Sequence, residues 1–177
     1  MIDKKAWPSF IPRPDYLERI KPFIGKGLIK VLTGQRRVGK SYILYQLMDE
    51  IATRNPEVGI TYINKELHEF RDIRDGDDLH RFVSGRLKAD TPNALFIDEI
   101  QEIKGFELAL RSLLAEGRCD IYCTGSNADL LSGELATFLA GRHVEIRIHP
   151  LSFAEFLRFH NLQDSRESLA LYLRLGG

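Results

Sequence analysis

Leu28-Ile29-Lys30-Val31-Leu32-Thr33-Gly34-Gln35-Arg36-Arg37-Val38-Gly39-Lys40-Ser41-Tyr42 decides the fold. Its first six residues are a mostly apolar run of strand length. Gly34 to Ser41 meets every fixed position of G-x-x-x-x-G-K-[ST]. From about Lys40 to Arg54, Ile43, Leu44, Leu47, Met48 and Ile51 recur at helical spacing, and Asn55-Pro56 stops the run. Strand, glycine-bounded loop and helix, in that order, build a cradle for phosphates. The glycines let successive backbone N–H groups turn inward, and the helix N-terminus adds its partial positive charge. Lys40 then meets the β- and γ-phosphates as a point charge, and the Ser41 hydroxyl is a ligand for Mg²⁺. Gly34, Gln35, Arg36, Arg37, Val38, Gly39, Lys40, Ser41 and Tyr42 are therefore the expected nucleotide contacts. Arg36 and Arg37 fill variable positions and carry no separate role.

Working outward, strands and helices alternate. Gly59–Asn64 reads as a second strand and residues 65–76 as a polar loop. Asp77 or Asp78 caps a helix bearing Leu79, Phe82, Val83 and Leu87 on one face, and Thr91-Pro92 ends it. Asn93–Asp98 is a third, buried strand. A helix follows through Phe106, Ala109, Leu110, Leu113 and Leu114 and closes at Gly117. Cys119–Thr124 is a fourth strand, a short helical stretch comes next, and His143–Ile148 is a fifth. Ser152–His160 and Arg166–Leu175 read as helices. Such alternation produces parallel βαβ units and an open α/β sheet.

The third strand ends in Asp98-Glu99. Carboxylates at the C-terminal end of a central strand stand in the crevice where such sheets take ligands. Asp98 is placed to hold the water shell of Mg²⁺, and Glu99 to polarise an attacking water. Together with the loop, they point to hydrolysis of ATP.

Composition narrows the remaining classes. The 177 residues fit one domain with a full core. Apolar residues make up 44% and charged residues 28%, and 25 basic side chains balance 25 acidic ones. That balance removes the simplest argument for a nucleic-acid surface. No apolar run reaches the length of a membrane span, and the first residues lack a signal-peptide core. Cys119 and Cys123 share one apolar strand, at a spacing poor for a disulfide, and are expected as buried thiols. A cytoplasmic setting is the expectation. The five histidines show no metal-ligand spacing. The sequence ends directly after an apolar helix at Leu175-Gly176-Gly177, which suggests a piece of a longer protein.

With both motifs in hand, the chain resembles the AAA+ ATPases. More narrowly, it is similar to a prokaryotic, archaeal-type group with G-x-R-R-x-G-K-[ST] loops and a poorly characterised C-terminal domain. The narrower resemblance rests on Arg36-Arg37, on Thr124-Gly125-Ser126-Asn127, on Leu139-Ala140-Gly141-Arg142, and on Pro150-Leu151-Ser152-Phe153-Ala154-Glu155-Phe156. It implies a P-loop NTPase three-layer sandwich, with a five-stranded parallel sheet of order 5-1-4-3-2 and helices on both faces. Residues 28–150 would be the ATPase core and 151–177 the start of a helical lid or linker. Residues 1–27 would be an irregular segment reaching the nucleotide. The resemblance makes Ser126 or Asn127 a polar sensor that contacts the γ-phosphate or the catalytic water. Arg142 becomes an arginine finger acting on a neighbouring subunit of a homo-oligomer. Ile11, Arg13 and Tyr16 become the walls of an adenine pocket.

Other readings fare worse. Asn64-Lys65-Glu66-Leu67 lacks the aspartate of a guanine-reading N-K-x-D and precedes the acidic strand. Asp98-Glu99-Ile100-Gln101 matches a helicase D-E-x-Q box, but the chain has room for one motor lobe where a helicase needs two. A small-molecule kinase would carry an Arg-rich lid, which is not evident. A nucleotide switch with little turnover is the non-enzymatic alternative; Glu99 argues for turnover.

Overall fold

The structure is a computed structural model, and it describes residues 8–125, 139 and 141–176. Five parallel strands form one sheet: β1 (Ile29–Thr33), β2 (Gly59–Asn64), β3 (Asn93–Asp98), β4 (Asp120–Gly125) and β5 (His143–Arg147). Their order is β2-β3-β4-β1-β5, the order that the resemblance implies. The helices are α1 (Pro14–Ile20), α2 (Lys40–Arg54), α3 (Gly76–Ser84), α4 (Phe106–Glu116), α5 (Phe153–His160) and α6 (Arg166–Leu175).

Burial follows position in the sheet. The inner strands β1 and β3 are buried at every residue, as strands covered on both faces must be. The edge strand β2 alternates buried and half-buried residues, and β5 is still more exposed. One core contains Val31, Leu95, Ile97 and Ile121 with Leu79 of α3 and Leu110 of α4. The other contains Leu32, Phe96 and Tyr122 with Leu44 and Leu47 of α2 and Ile20 of α1. Successive residues of β3 thus serve opposite layers, and the domain is a three-layer sandwich. Phe96 and Tyr122 stack at 4.6 Å between centroids, joining β3 to β4 on the α2 side.

The expected elements form with three local differences, the first being that α3 ends at Ser84, capped by Gly85, so that Leu87 lies outside the helix and Thr91-Pro92 does not end it. The cap of α3 is Asp75, whose Oδ1 accepts the Asp78 N–H at 3.0 Å, in place of Asp77 or Asp78. The chain is pinned earlier because Gly76 N–H donates to Lys104 O and Asp75 bridges Lys104 in parallel. The polar loop before it contains a 3-10 turn at His68–Phe70, held by Lys65 Nζ, which donates to Phe70 O and Ile73 O. The short helix expected between the fourth and fifth strands, like Ser126 and Asn127, lies outside the described residues. Both cysteines are free thiols. Burial pushes Cys119 up to about 11 and Cys123 up to about 12, so neither is poised for reaction.

Two buried ion pairs tie segments distant in sequence. Lys30, fully buried in β1, pairs with Asp120 at the start of β4 and lies 4.2 Å from the Tyr122 ring centroid. Burial lowers the Lys30 pKa against the pull of Asp120. Asp120 also accepts the Tyr122 hydroxyl and the Gly25 N–H. The second pair joins Arg13, just before α1, to Glu155 in the first turn of α5, with Nε–Oε1 at 2.8 Å. Arg13 Nη1 donates to Val38 O in the glycine-rich loop, and Nη2 donates to His149 O beyond β5. Glu155 completes a capping box with Ser152. Burial alone would raise the Glu155 pKa, but Arg13 and the Ser152 cap hold it down at about 2.

Replacing Asp120 by Ala strands the Lys30 ammonium in the interior and should cost about 3–5 kcal/mol by urea unfolding. Lys30→Met removes the charge itself and leaves Asp120 its other donors, so it should stay within about 1 kcal/mol of the parent. The Glu155 carboxylate has its folded pKa below the ordinary value of 4.5. Its stabilising effect is therefore complete above about 4.5 and drains away as pH falls towards 2. Glu155→Gln should flatten the stability–pH curve over that window, measured as denaturant midpoints at stepped pH.

Candidate active site

The loop after β1 is shaped by backbone demands. Gly34 has φ +149°, and a Cβ there would lie 2.4 Å from the Ile148 carbonyl oxygen, so a side chain cannot be accommodated. Gly39 has φ +91° and turns the chain into α2. Arg37 also takes a left-handed conformation, at φ +69°, although it carries a side chain. Together these turns bring residues 36–42 along one wall of a cavity of about 1020 Å³.

Lys40 is 4% exposed, and its Nζ donates to Gly34 O at 3.2 Å and Gln35 O at 3.0 Å. The same nitrogen stands 3.9 Å from Glu99 Oε1. The loop after β1 and the acid after β3 therefore meet at one point, although β4 separates the two strands. Ser41 and Glu99 line the cavity with Lys40.

Asp98 is buried at the last position of β3. Its Oδ1 accepts the Thr124 hydroxyl, and its Oδ2 lies 3.3 Å from the Tyr62 hydroxyl. Burial, then the charge of Asp98, raises the Tyr62 pKa well above its ordinary value, so the phenol stays a donor. Thr124 Oγ1 also accepts the Glu99 N–H at 3.0 Å. Glu99 sits at φ 57° and ψ 55°, a left-handed conformation that costs a non-glycine residue on the order of 1–3 kcal/mol. The Thr124 bond helps to hold it there.

The expected base-pocket residues separate. Ile11 and Arg13 line the cavity, but Tyr16 does not. Tyr16 is buried behind the wall, where its hydroxyl accepts the His149 N–H at 3.0 Å. The Arg13 guanidinium is committed to Glu155 and main-chain carbonyls and stacks 4.6 Å from the Tyr16 ring centroid. The apolar lining comes from Phe10, Ile11, Leu151 and Phe159, with Tyr42 beside them. Arg142 lies elsewhere. Its carbonyl accepts the N–H of Ile29, the first residue of β1, whereas the loop follows Thr33, opposite Arg147. It is thus five strand positions away, roughly 16 Å at 3.3 Å per residue.

Tyr62 and Phe159 are the parts that motif reading passed over, and Thr124 entered only within a motif that carried the resemblance. Thr124 carried a signal, as a hydroxyl at the end of a mostly buried strand, directly before Gly125-Ser126-Asn127. Tyr62 and Phe159 carried none, because their roles depend on which strands and helices become neighbours.

The donor set fits Mg·ATP. Phosphate oxygens suit backbone N–H groups of such a loop and Lys40, and the Ser41 hydroxyl, which lines the cavity, and the Asp98 carboxylate, buried outside that lining, are hard-oxygen donors of the kind that suits Mg²⁺. Each Asp98 oxygen already accepts one hydroxyl, which suits contact through the ion's water shell better than direct ligation.

Comparison with known proteins agrees with the architecture. The family described as AAA domain matches residues 26–157. An uncharacterized protein of Haemophilus influenzae is 40% identical over 163 residues, spanning 91% of this chain and 40% of that protein. An uncharacterized protein of Methanocaldococcus jannaschii is 38% identical over 133 residues, spanning 75% of this chain and 29% of that one. The chain therefore corresponds to less than half the length of these relatives. Among solved structures, the Aeropyrum pernix Orc1 protein in complex with DNA superposes with a TM-score of 0.62 at 17% identity, over 95% of this chain and 56% of that one. The Saccharomyces cerevisiae Hsp104:casein complex superposes with a TM-score of 0.65 at 16% identity, over 89% and 30%. At these identities the likeness speaks for the fold alone. With the family match over residues 26–157 and the strand order of the sheet, the chain belongs to the AAA domain family and is an AAA+ P-loop ATPase domain.

Proposed function

We propose that this domain binds ATP with Mg²⁺ and hydrolyses the bond to its γ-phosphate. The observation that carries the reading is the meeting of Lys40 and Glu99, 3.9 Å apart, in the lining of one cavity walled by the loop. Loop N–H groups and Lys40 take the phosphates, and Phe10, Ile11, Leu151 and Phe159 offer an apolar slot for the base. Ser41 and, through the water shell, Asp98 would hold Mg²⁺, which would supply positive charge against the phosphate oxygens. Glu99 accepts the proton of the attacking water, and Lys40 stabilises charge on the transferring group.

Arg142 completes the reading in a second copy. Its place at the far end of β5 sets it about a strand's length from the loop of its own subunit. Such a residue serves a neighbour's γ-phosphate. Coupling to a conformational output runs through Arg13, which links the loop carbonyl of Val38 to Glu155 of α5. Movement of the loop on nucleotide binding thereby reaches α5 and whatever C-terminal domain the longer protein carries. The mixed charge of the chain gives no ground for a nucleic-acid partner. Among the described residues no helix is long and apolar enough to cross a membrane.

Calorimetry should show micromolar-range, Mg²⁺-dependent binding of ATP that Lys40→Ala abolishes, since it removes a charge-assisted contact. Equal affinity in the two proteins would overturn the assignment. Glu99→Gln should keep nucleotide affinity and lower turnover about 10²-fold or more. Arg142→Ala should lower turnover about 10³-fold with affinity nearly intact. Mixing Arg142→Ala with Lys40→Ala protein should restore activity, because hybrid oligomers pair an intact loop with a neighbour's intact arginine. Failure to recover, in a mixture shown to form hybrids, would assign Arg142 a structural role.

A further inference from the structure

Glu99 is gripped on both oxygens. Oε1 faces Lys40 at 3.9 Å, and Oε2 accepts a hydrogen bond from the side-chain amide of Gln101. Gln101 belongs to the 3-10 turn Ile100–Glu102 directly after Glu99. The turn is anchored by the buried side chain of Ile100 and by Glu102 N–H and Ile103 N–H, which donate to Glu99 O and Ile100 O. The amide is therefore delivered by rigid local backbone. Its other end, Oε1, is buried and has no hydrogen-bond partner among the described residues. A glutamine whose carbonyl is left unpaired in the interior loses free energy on that side. What the glutamine gains is the N–H donated to Glu99.

The two grips differ in what happens to them during the reaction. Lys40 has to serve the β- and γ-phosphates, and its hold on Glu99 weakens as it does so. Gln101 has no phosphate to serve and does not line the cavity. Once Lys40 has turned to the substrate, Gln101 is the side chain left directing the Glu99 carboxylate. The left-handed backbone of Glu99 sets where its side chain starts, and the Gln101 amide sets where it ends.

We infer that Gln101 is a positioning residue for hydrolysis, its amide N–H holding the Glu99 carboxylate in the orientation that takes the proton from water. The inference rests on the ATPase reading above. Gln101 touches neither ATP nor the water, so its loss acts on turnover and leaves binding alone.

Steady-state and single-turnover hydrolysis of γ-labelled ATP by the whole protein tests this, with nucleotide affinity measured in parallel. Gln101→Ala should lower kcat about 10-fold or more, the loss of one well-placed hydrogen bond to a charged group, with KM and ATP affinity unchanged. Gln101→Glu keeps the side-chain volume and removes the donor, and should lose at least as much. In a Glu99→Gln background, Gln101→Ala should change the single-turnover rate less than twofold, because nothing remains to be positioned. Wild-type turnover in Gln101→Glu, faster turnover in Gln101→Ala, or an undiminished Gln101→Ala loss in the Glu99→Gln background would each overturn the inference while leaving the ATPase reading in place. A wild-type protein that binds ATP and never cleaves it would remove both.

Discussion

The ladder of β1 is the constraint on which everything else turns. It pairs with β4 on one side and β5 on the other, with Thr33 opposite both Gly125 and Arg147. This register puts the glycine-rich loop, the end of β4 and the chain after β5 at one edge of the sheet. Gly34 can then lie against the Ile148 carbonyl, and Arg13 can reach from the N-terminal segment to Val38, His149 and Glu155. A one-residue slip would turn Val31 and Leu32 into each other's layers and pull the loop away from its supports.

Polar groups in the interior fall into two classes. Lys30–Asp120 and Arg13–Glu155 are satisfied by several partners each; the first joins β1 to β4 within the sheet, and the second joins the segment before α1 to α5. Around Glu99 the arrangement is less settled. The residue takes a left-handed backbone, Lys40 leans on carbonyls of its own loop, and one end of the Gln101 amide has no partner in the described structure. Left-handed non-glycine backbone also occurs at Asp90 and Asn161, and the buried hydroxyls of Ser84 and Thr91 likewise lack partners among the described residues; around Glu99 the two features adjoin a buried lysine. Thr124 connects the two regimes. It belongs to a buried strand, yet its single hydroxyl ties Asp98 and Glu99 into one rigid unit.

By itself the sequence determined the elements and the chemical inventory. Periodicity placed α2 and the inner strands, because a buried strand needs a continuous apolar run and a buried helix face needs a 3.6-residue repeat. Residues 34–41 and Asp98-Glu99 stood out as candidates because a glycine-bounded loop and a strand-end acid pair are local patterns, each complete within a few consecutive residues. Local signals erred where a distant segment decided the outcome. Asp75 caps α3 because Lys104 pins the chain there. Tyr16, which the resemblance and no local signal put at the base pocket, stands outside the cavity lining with its hydroxyl accepting the His149 N–H. Tertiary structure alone decided that Lys40 and Glu99 face each other, that Thr124 and Tyr62 flank Asp98, that Phe159 reaches the cavity, and that Arg142 stands at the far edge from its own loop. Each of these depends on which strands become neighbours. That choice minimises the free energy of two hydrophobic layers at once, and no window of sequence contains it.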